Sequence, residues 1–234
     1  MADLEAYKRA AAGRAVDLVC SGMALGLGTG STADLMLHAL AERLANGQLR
    51  DIVGVPTSER TAALARRLGI PLTTLAERPE LDMALDGADE VDPALNLIKG
   101  LGGALLREKI VAAAARQFVA MVDVSKLVGR LGERAPLPVE VVPFGQPVCA
   151  RRLAALGAEP VLRVGADGAA FRTDEGNVIL DCRFGPIADP AALATAIDGI
   201  PGVVGHGLFV GMVAAVVLAG PQGVRVIEAG LSGW

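Results

Sequence analysis

Short apolar runs alternate with segments whose apolar residues recur every three or four positions. Met23–Leu27 is an apolar run, and Ser31–Ala45 behind it has helical spacing. Alternating strands and helices are typical of a mostly parallel sheet with helices on its faces, so the pattern predicts an α/β fold with a Rossmann-like sheet. The further strands predicted in this half are Asp51–Val55, Pro71–Leu75, Asp82–Asp86, Leu95–Lys99 and Phe118–Asp123, and the further helices are the N-terminal segment, Ser58–Leu68 and Ala104–Arg116.

The pattern changes at Leu131–Pro138, where two prolines mark a domain boundary. The order beyond it is strand, helix, strand, strand, helix, strand, as in a ferredoxin-like α+β unit. We therefore predict an α/β catalytic domain of residues 1–133 plus 209–234, which the last two apolar runs complete, and a smaller ferredoxin-like domain of residues 134–208. The elements predicted for the smaller domain are Val139–Val142, Gln146–Leu156, Pro160–Val164, Asn177–Asp181, Pro190–Asp198 and Gly202–Leu208.

Composition narrows the class of protein. With 52% hydrophobic and 21% charged residues, the chain is globular rather than disordered. A net charge of −4 without a Lys/Arg cluster excludes the usual nucleic-acid binder. The segment 199–224 has no charged residue and is long enough to span a membrane, but its prolines and glycines favour two buried strands joined by a turn. Three widely spaced cysteines and a charged N-terminus suggest small buried thiols and a cytoplasmic location.

The first candidate site is the loop Gly26–Ala33, GLGTGSTA, between a strand and a helix. Glycines permit a tight turn, and the N–H groups that begin a helix can bind an anion, to which Thr29, Ser31 and Thr32 add hydroxyls. One of these hydroxyls could instead only cap the helix. A dinucleotide site would need an acid at the end of the second strand, and none stands there, so a phosphate on a small sugar fits better.

The second candidate is Leu85–Asp92, LDGADEVD, which places four carboxylates close together behind a strand. Like charges so close must bind cations or hydroxyls, share protons or face water. Carboxylates at strand ends lie where α/β sheets bind ligands. A solvated acidic turn is the alternative. The spacing is not that of an EF-hand loop, and His38 and His206 are isolated, so we predict no metal site.

Two further segments bring cations to the sheet. In Lys99–Ile110, KGLGGALLREKI, a glycine loop opens a helix that carries Glu108. Apolar neighbours would desolvate Glu108 and raise its pKa, as a carboxylate base requires. Lys99 and Lys126 could each reach a phosphate. Alternatively, Glu108 is an exposed residue of an amphipathic helix, and Lys99 and Lys126 lie at the surface, as most such residues do.

Taken in order, these motifs resemble the ribose-5-phosphate isomerase A family over nearly the whole chain. The second half adds PLPVEV, GNVILD and IPGVVGHGLF. The resemblance implies a homodimer or homotetramer without a cofactor that interconverts ribose 5-phosphate and ribulose 5-phosphate in the nonoxidative pentose phosphate pathway. The substrate-binding residues it implies are Thr29, Gly30, Ser31, Thr32, Asp86, Gly87, Ala88, Asp89, Lys99, Gly100, Leu101, Gly102 and Lys126.

The resemblance also implies roles in catalysis. Glu108 matches the family's proton acceptor, Lys99 is expected to offset negative charge on an enediolate, and either Asp86 or Asp89 assists ring opening. Leu101 departs from the family's KGGGA pattern and would strain the loop if its position required a positive φ.

Two other classes of function remain open beside this one. A noncatalytic sugar-phosphate sensor would need a DNA-binding segment, which does not precede this domain. The chain could also be a CoA transferase or an amino-sugar-phosphate deaminase. Only the resemblance of Lys99 and of the DGAD loop to the isomerase family argues against these two enzymes.

Overall fold

The computed structural model describes residues 2–230. In chain order its helices are α1 (Ala2–Val16), α2 (Ser31–Ala45), α3 (Glu59–Arg67), α4 (Leu105–Ala114), α5 (Gln146–Ala155) and α6 (Pro190–Asp198). Its strands are β1 (Ala24–Leu27), β2 (Val53–Pro56), β3 (Leu81–Gly87), β4 (Glu90–Val91), β5 (Leu97–Ile98), β6 (Ala115–Asp123), β7 (Leu137–Val141), β8 (Glu159–Leu162), β9 (Val178–Arg183), β10 (Val203–His206), β11 (Leu208–Phe209), β12 (Ala215–Gly220) and β13 (Gly223–Glu228).

The chain folds into two compact units. The first comprises the residues up to Ala88, Arg107–Leu127 and the segment from Met212 onward, and the second comprises Asp89–Leu106 and Val128–Gly211. These limits differ from the predicted boundaries, which were 133/134, where the prolines stand, and 208/209, where the last apolar runs begin. The reason is that β4 and β5 form a small antiparallel sheet with β11, which joins residues 89–106 to the second unit.

The first unit contains the predicted mostly parallel sheet, in the order β13-β12-β6-β3-β1-β2. All neighbouring strands are parallel except β13, which pairs antiparallel with β12 at the edge. From β1 the chain passes to β2 on one side and then to β3 on the other. The strand order therefore reverses between β1 and β3, and open α/β sheets bind their ligands at the carboxyl ends of the strands at such a point.

Apolar spacing explains how helices cover this sheet. Ala11 and Ala15 on α1, and Met36 and Leu40 on α2, are fully buried, and each pair has the four-residue interval that places side chains on one face of a helix. In α3, the Ser58 side chain caps the first turn by accepting a hydrogen bond from the Thr61 N–H.

The second unit contains the predicted ferredoxin-like arrangement. Its larger sheet has the order β10-β7-β9-β8, all antiparallel, and α5 and α6 supply the two crossovers. Residues from β7, β9 and both helices form its hydrophobic core, which includes Val139, Leu153, Leu180 and Ile197.

Two sequence predictions were wrong. Pro71–Leu75 is not a strand: only Leu72 bridges to Gly54, because Thr73 and Thr74 bind the Glu77 carboxylate and form a turn. The three cysteines are not all buried, since Cys20 is exposed while Cys149 and Cys182 are buried.

The uncharged segment 199–224 contributes to three sheets. It contains β10, β11 and β12 and the start of β13, with positive φ at Gly202, directly before β10, and at Gly211, between β11 and β12. Over residues 2–230, no helix has both the length and the apolar character required to cross a membrane.

Candidate active site

The glycine loop after β1 lies at the point where the strand order reverses. Gly30 has a φ of 120°, a region that favours glycine, and precedes the first residue of α2. Gly30 is the N-cap residue of α2, and it has no side chain that could bind the N–H groups of the first turn. The loop therefore presents the N-terminus of a fifteen-residue helix at the carboxyl edge of the sheet, which is a favourable place for a phosphate.

Asp86, near the end of β3, packs directly against this loop. A Cβ built on Gly28 would lie 2.2 Å from Asp86 Oδ1, so only glycine permits the approach. The Thr29 N–H donates to Asp86 Oδ1 over 3.0 Å, and the Gly87 N–H donates to the same oxygen over 2.7 Å. The backbone of the loop thus holds the carboxylate in place at the carboxyl edge of the sheet.

The side chains of the loop face different surroundings. Thr29 Oγ1 lies 2.7 Å from Thr57 Oγ1 and contacts two further hydroxyls of the protein. Thr32 is buried, with its Cβ 3.9 Å from the position of a Cβ on Gly87. Ser31 is exposed. Thr29 therefore contributes through its contacts within the protein, while Ser31 faces outward.

A cation that was not predicted from the sequence lies at this loop. Lys8, on α1, donates from Nζ to Ser31 Oγ over 3.1 Å. An α1 that packs beside α2 brings the two residues together although they are 23 positions apart. Nothing in the local sequence distinguishes Lys8 from a surface lysine, so the signal is tertiary.

Glu108 is buried in α4, with 4% of its surface exposed. Three positions further along the helix, Val111 packs against β1: a Cβ on Gly26 would lie 2.4 Å from Val111 Cγ1. Residues three apart share a helix face, so Glu108 lies on the side of α4 that covers the sheet. In the crossover between the parallel strands β3 and β6, α4 precedes β6, so its first turn is directed to the carboxyl edge of the sheet.

Lys126 follows β6, the strand next to β3. It closes a short 3-10 helix that Asp123 caps by accepting a hydrogen bond from the Ser125 N–H over 2.9 Å. Lys126 is partly exposed and stands at the same edge of the sheet as Asp86. The first unit therefore carries a glycine loop, Asp86 and a lysine at the carboxyl ends of adjacent strands, and Glu108 in the helix that covers the sheet.

The second unit carries the remaining predicted residues. Lys99 is buried, with 2% exposed, and its Nζ lies 5.6 Å from the centre of the Phe209 ring. Its N–H donates to the Gly207 carbonyl over 2.9 Å. Asp89 accepts a hydrogen bond at Oδ2 from the Leu101 N–H over 3.0 Å, so Asp89 holds the glycine loop that follows Lys99.

The loop is not strained at Leu101. Its positive φ angles occur at Gly100 (102°) and Gly103 (83°), and the non-glycine residues with positive φ in the described chain are Asp51 and Leu95. Leu101 is 44% exposed and Gly102 has open space around it. The departure from KGGGA therefore places a side chain on the loop without forcing its backbone.

A guanidinium supports this loop from within the second unit. Arg163 Nη1 donates to the carbonyls of Gly100 and Leu101 over 3.0 and 3.1 Å, and its other nitrogens bind Asp181. A Cβ on Gly103 would lie 2.5 Å from the ring of Phe171, which the Arg163 guanidinium also approaches. Sequence reasoning gave no sign of this support, because the partners are about 60 positions apart.

The carboxylates that crowd the sequence have separate partners in the structure. Asp86 binds the first glycine loop, and Asp89 binds Leu101 N–H. Glu90 accepts hydrogen bonds from backbone N–H groups, one of them that of Ala135, and Asp92 binds Asn96. Within residues 2–230, no three His, Cys, Asp or Glu side chains form a group that could hold a metal ion.

A cavity of about 620 Å³ in the first unit does not contain these residues. Apolar side chains line most of it, together with the ion pair between Arg107 and Glu59. Arg107 precedes the buried Glu108, so the cavity lies beside α4. Asp86 and the start of α2 lie instead at the reversal point of the strand order, which is where open α/β sheets bind their ligands.

Known proteins are similar to this chain in sequence and in fold. The family model described as ribose 5-phosphate isomerase A (phosphoriboisomerase A) matches residues 53–223. A ribose-5-phosphate isomerase A from Roseiflexus castenholzii is 69% identical over 222 residues, which cover 95% of this chain and 95% of that protein.

Two solved structures are similar over almost their whole length. A D-ribose-5-phosphate isomerase in complex with phospho-erythronic acid has a TM-score of 0.94 and 40% identity, and the match covers 97% of this chain and 99% of that one. Ribose 5-phosphate isomerase A from Methanocaldococcus jannaschii has a TM-score of 0.92 and 44% identity, covering 96% and 99%.

Proposed function

Because this chain belongs to the ribose 5-phosphate isomerase A family and interconverts ribose 5-phosphate and ribulose 5-phosphate, we propose that Glu108 is the base that moves the proton between C2 and C1. The burial of Glu108 on the sheet-facing side of α4 carries this proposal. A general base must be held within reach of the proton it takes, and the family supplies the reaction, a step of the nonoxidative pentose phosphate pathway.

The proposed sequence begins with ring opening. Asp86 or Asp89 exchanges a proton with the ring or anomeric oxygen and so releases the open-chain aldehyde. The Glu108 carboxylate then takes the C2 proton, and the electrons of the C–H bond form a C1=C2 double bond while negative charge moves to O1. The hydroxyl proton passes from O2 to O1, Glu108 returns its proton to C1, and O2 becomes the ketone oxygen.

Cations and donors stabilise the charge in this sequence. Lys99 offsets the negative charge of the enediolate, where fixed donors contribute most. The phosphate binds the start of α2, with the loop of Gly30, Ser31 and Thr32 and with Lys126. Lys8 adds a second lysine, since its Nζ already binds Ser31 Oγ. Binding at the phosphate end orients the reacting carbons.

Glu108→Gln tests the base directly, because it keeps the shape of the side chain and removes the carboxylate. We expect kcat to fall by about 10²–10⁴-fold, the usual contribution of a positioned base. Release of tritium from C2-labelled ribose 5-phosphate to water should fall in parallel. Glu42→Gln, the same change at an exposed position of α2, is the matched control and should behave as wild type.

Binding separates a lost base from a damaged site. One structural neighbour was solved with phospho-erythronic acid, whose planar carboxylate resembles an enediolate. Glu108→Gln should still bind this compound in a calorimetric titration while turning over slowly. Turnover at the wild-type rate, with EDTA present, would refute the assignment of Glu108.

The assembly and location follow from the family and are proposals as well. We propose a homodimer or homotetramer in the cytoplasm that needs no cofactor and binds neither nucleic acid nor membrane. Light scattering of the purified protein should give two or four times the mass of the chain, and a monomer would contradict the proposal.

Burial, with the nearby Asp181 carboxylate, raises the pKa of the Cys182 thiol to about 12, so this thiol is unreactive and persists unpaired.

A further inference from the structure

Buried hydroxyls lie behind the first glycine loop, in the first unit. Thr57, Ser58 and Thr61 follow β2 and begin α3, and their exposed fractions are 2%, 5% and 0%. They surround Thr29 Oγ1 at 2.7, 2.8 and 2.9 Å. Capping of α3 accounts for Ser58 alone, so the other two hydroxyls need a different explanation.

The direction of these hydrogen bonds follows from the number of protons. Each hydroxyl carries one proton, and a carbonyl oxygen can only accept, so the Thr61 proton goes to the Gly28 carbonyl and the other directions follow from it. Thr29 donates to Ser58, Ser58 donates to Thr61, and Thr61 donates to the Gly28 carbonyl over 3.0 Å. The chain of donors therefore ends on the residue that precedes Thr29.

The peptide between Gly28 and Thr29 links this network to Asp86. Its carbonyl accepts from Thr61, and its N–H donates to Asp86 Oδ1 over 3.0 Å. Because a peptide unit is planar, a hydrogen bond that fixes the carbonyl also fixes the direction of the N–H. The Thr61 hydroxyl thus sets the donor that holds the Asp86 carboxylate.

We propose that Thr61 is a positioning residue for Asp86, acting through the Gly28–Thr29 peptide. The inference rests on one of the two alternatives proposed for ring opening, that Asp86 rather than Asp89 is the assisting acid. Thr61 itself has no exposed surface, so its side chain acts through the protein and not on the sugar phosphate directly. Its loss should therefore lower the rate of the reaction that Asp86 assists, more than it weakens the binding of the sugar phosphate.

Thr61→Val tests this, since valine keeps the shape and removes the hydroxyl. We expect kcat to fall about 10- to 100-fold, the range for a displacement of a catalytic group by up to about 1 Å, with KM changed less than about threefold. Thr61→Ser restores the hydroxyl and should recover most of the rate. Thr173→Val removes another buried threonine hydroxyl, one that donates to Glu140 Oε1, and should lower Tm but leave kcat unchanged.

A double-mutant cycle with Asp86→Asn shows whether Thr61 acts through Asp86. In the Asp86→Asn background, Thr61→Val should slow turnover by less than about twofold. An equal loss in both backgrounds would overturn the inference, and so would a Thr61→Val variant that lowers Tm but keeps the wild-type kcat. Wild-type turnover in Asp86→Asn would overturn the role of Asp86 and the inference with it, which distinguishes the two failures. If Thr61→Val does not fold, Thr61→Ala and Thr61→Ser replace it, since they differ only by the hydroxyl.

Discussion

The contact between Gly28 and Asp86 gives a quantitative prediction. In Gly28→Ala the new Cβ would lie 2.6 Å from Asp86 Cα and 2.3 Å from its Cγ, whereas ordinary contacts begin at 3.4 Å. The side chain can rotate away, but the backbone atom cannot, so the loop and β3 must separate by about 0.8 Å, the difference between 2.6 and 3.4 Å. A displacement of this size at a reacting group costs about 10²-fold in rate.

The same variant should remain folded. Overpacking of a buried contact costs about 1–3 kcal/mol, which for a chain of this length lowers Tm by roughly 2–12 °C. The assay is ketose formation from ribose 5-phosphate at a temperature well below the Tm of the variant. We expect kcat/KM near 1% of the wild-type value.

Gly13→Ala is the matched control for this variant. Gly13 lies within α1, and a Cβ there meets nothing within 4 Å. Alanine at that position should raise stability by about 0.5–1 kcal/mol through helix propensity and leave the rate unchanged. If Gly28→Ala keeps the wild-type kcat/KM while Gly13→Ala behaves as expected, the close packing of Asp86 on the loop does not matter for the reaction.

Three further predictions concern other parts of the molecule. Lys8→Ala removes the cation that binds Ser31. Hydrogen bonds to charged groups contribute about 1.5–3 kcal/mol, so kcat/KM should fall about 10- to 100-fold, mainly through KM. Steady-state kinetics measures both constants. In Arg163→Lys the lysine cannot bind two loop carbonyls and a carboxylate together. Hydrogen exchange of the backbone amides of residues 99–103 should therefore accelerate, and kcat/KM should fall about tenfold. Unchanged exchange would contradict the supporting role of Arg163. Burial raises the pKa of Glu140 above its ordinary 4.5, so the folded state holds that proton more tightly than the unfolded state and stability is lost as pH rises above 4.5. Glu140→Gln, which can still accept a hydrogen bond from Thr173, should therefore have a Tm that gains on the wild type from pH 4 to pH 8, and parallel Tm curves would refute this.

Local patterns were sufficient for most of the fold. The helical spacing of Ser31–Ala45 predicted α2 with its observed limits, and the order of elements after Pro138 predicted the ferredoxin-like unit. These features depend on residues close in sequence, whose periodicity reports which face is buried. The prediction of a strand at Pro71–Leu75 failed because it relied on this apolar pattern alone. The apolar ends of the segment look like a strand, whereas the hydrogen bonds of Thr73 and Thr74 to Glu77 make a turn.

The sequence also located the glycine loops and the acids, but not what holds them. Glu90 shows why. It stands among carboxylates that read as one cluster, yet its oxygens accept hydrogen bonds from the N–H groups of Gly132, Arg134 and Ala135, more than 40 positions away. A buried carboxylate is tolerated only when such donors satisfy it. No local pattern gives the distance between two segments that far apart.

The same limit separates a residue that reacts from one that positions it. Asp86 could be found because an acid at a strand end is a recognisable signal, whereas Thr61 is an ordinary threonine in the first turn of a helix. Its importance arises only when the fold places its hydroxyl on the carbonyl of Gly28, 33 positions earlier. A buried hydroxyl that binds a backbone carbonyl usually stabilises structure alone. Here the other end of the same peptide binds a carboxylate at the reversal point of the sheet. If Asp86 acts as proposed, one hydrogen bond affects both folding and catalysis, and the comparison of Tm with kcat in matched variants separates the two effects.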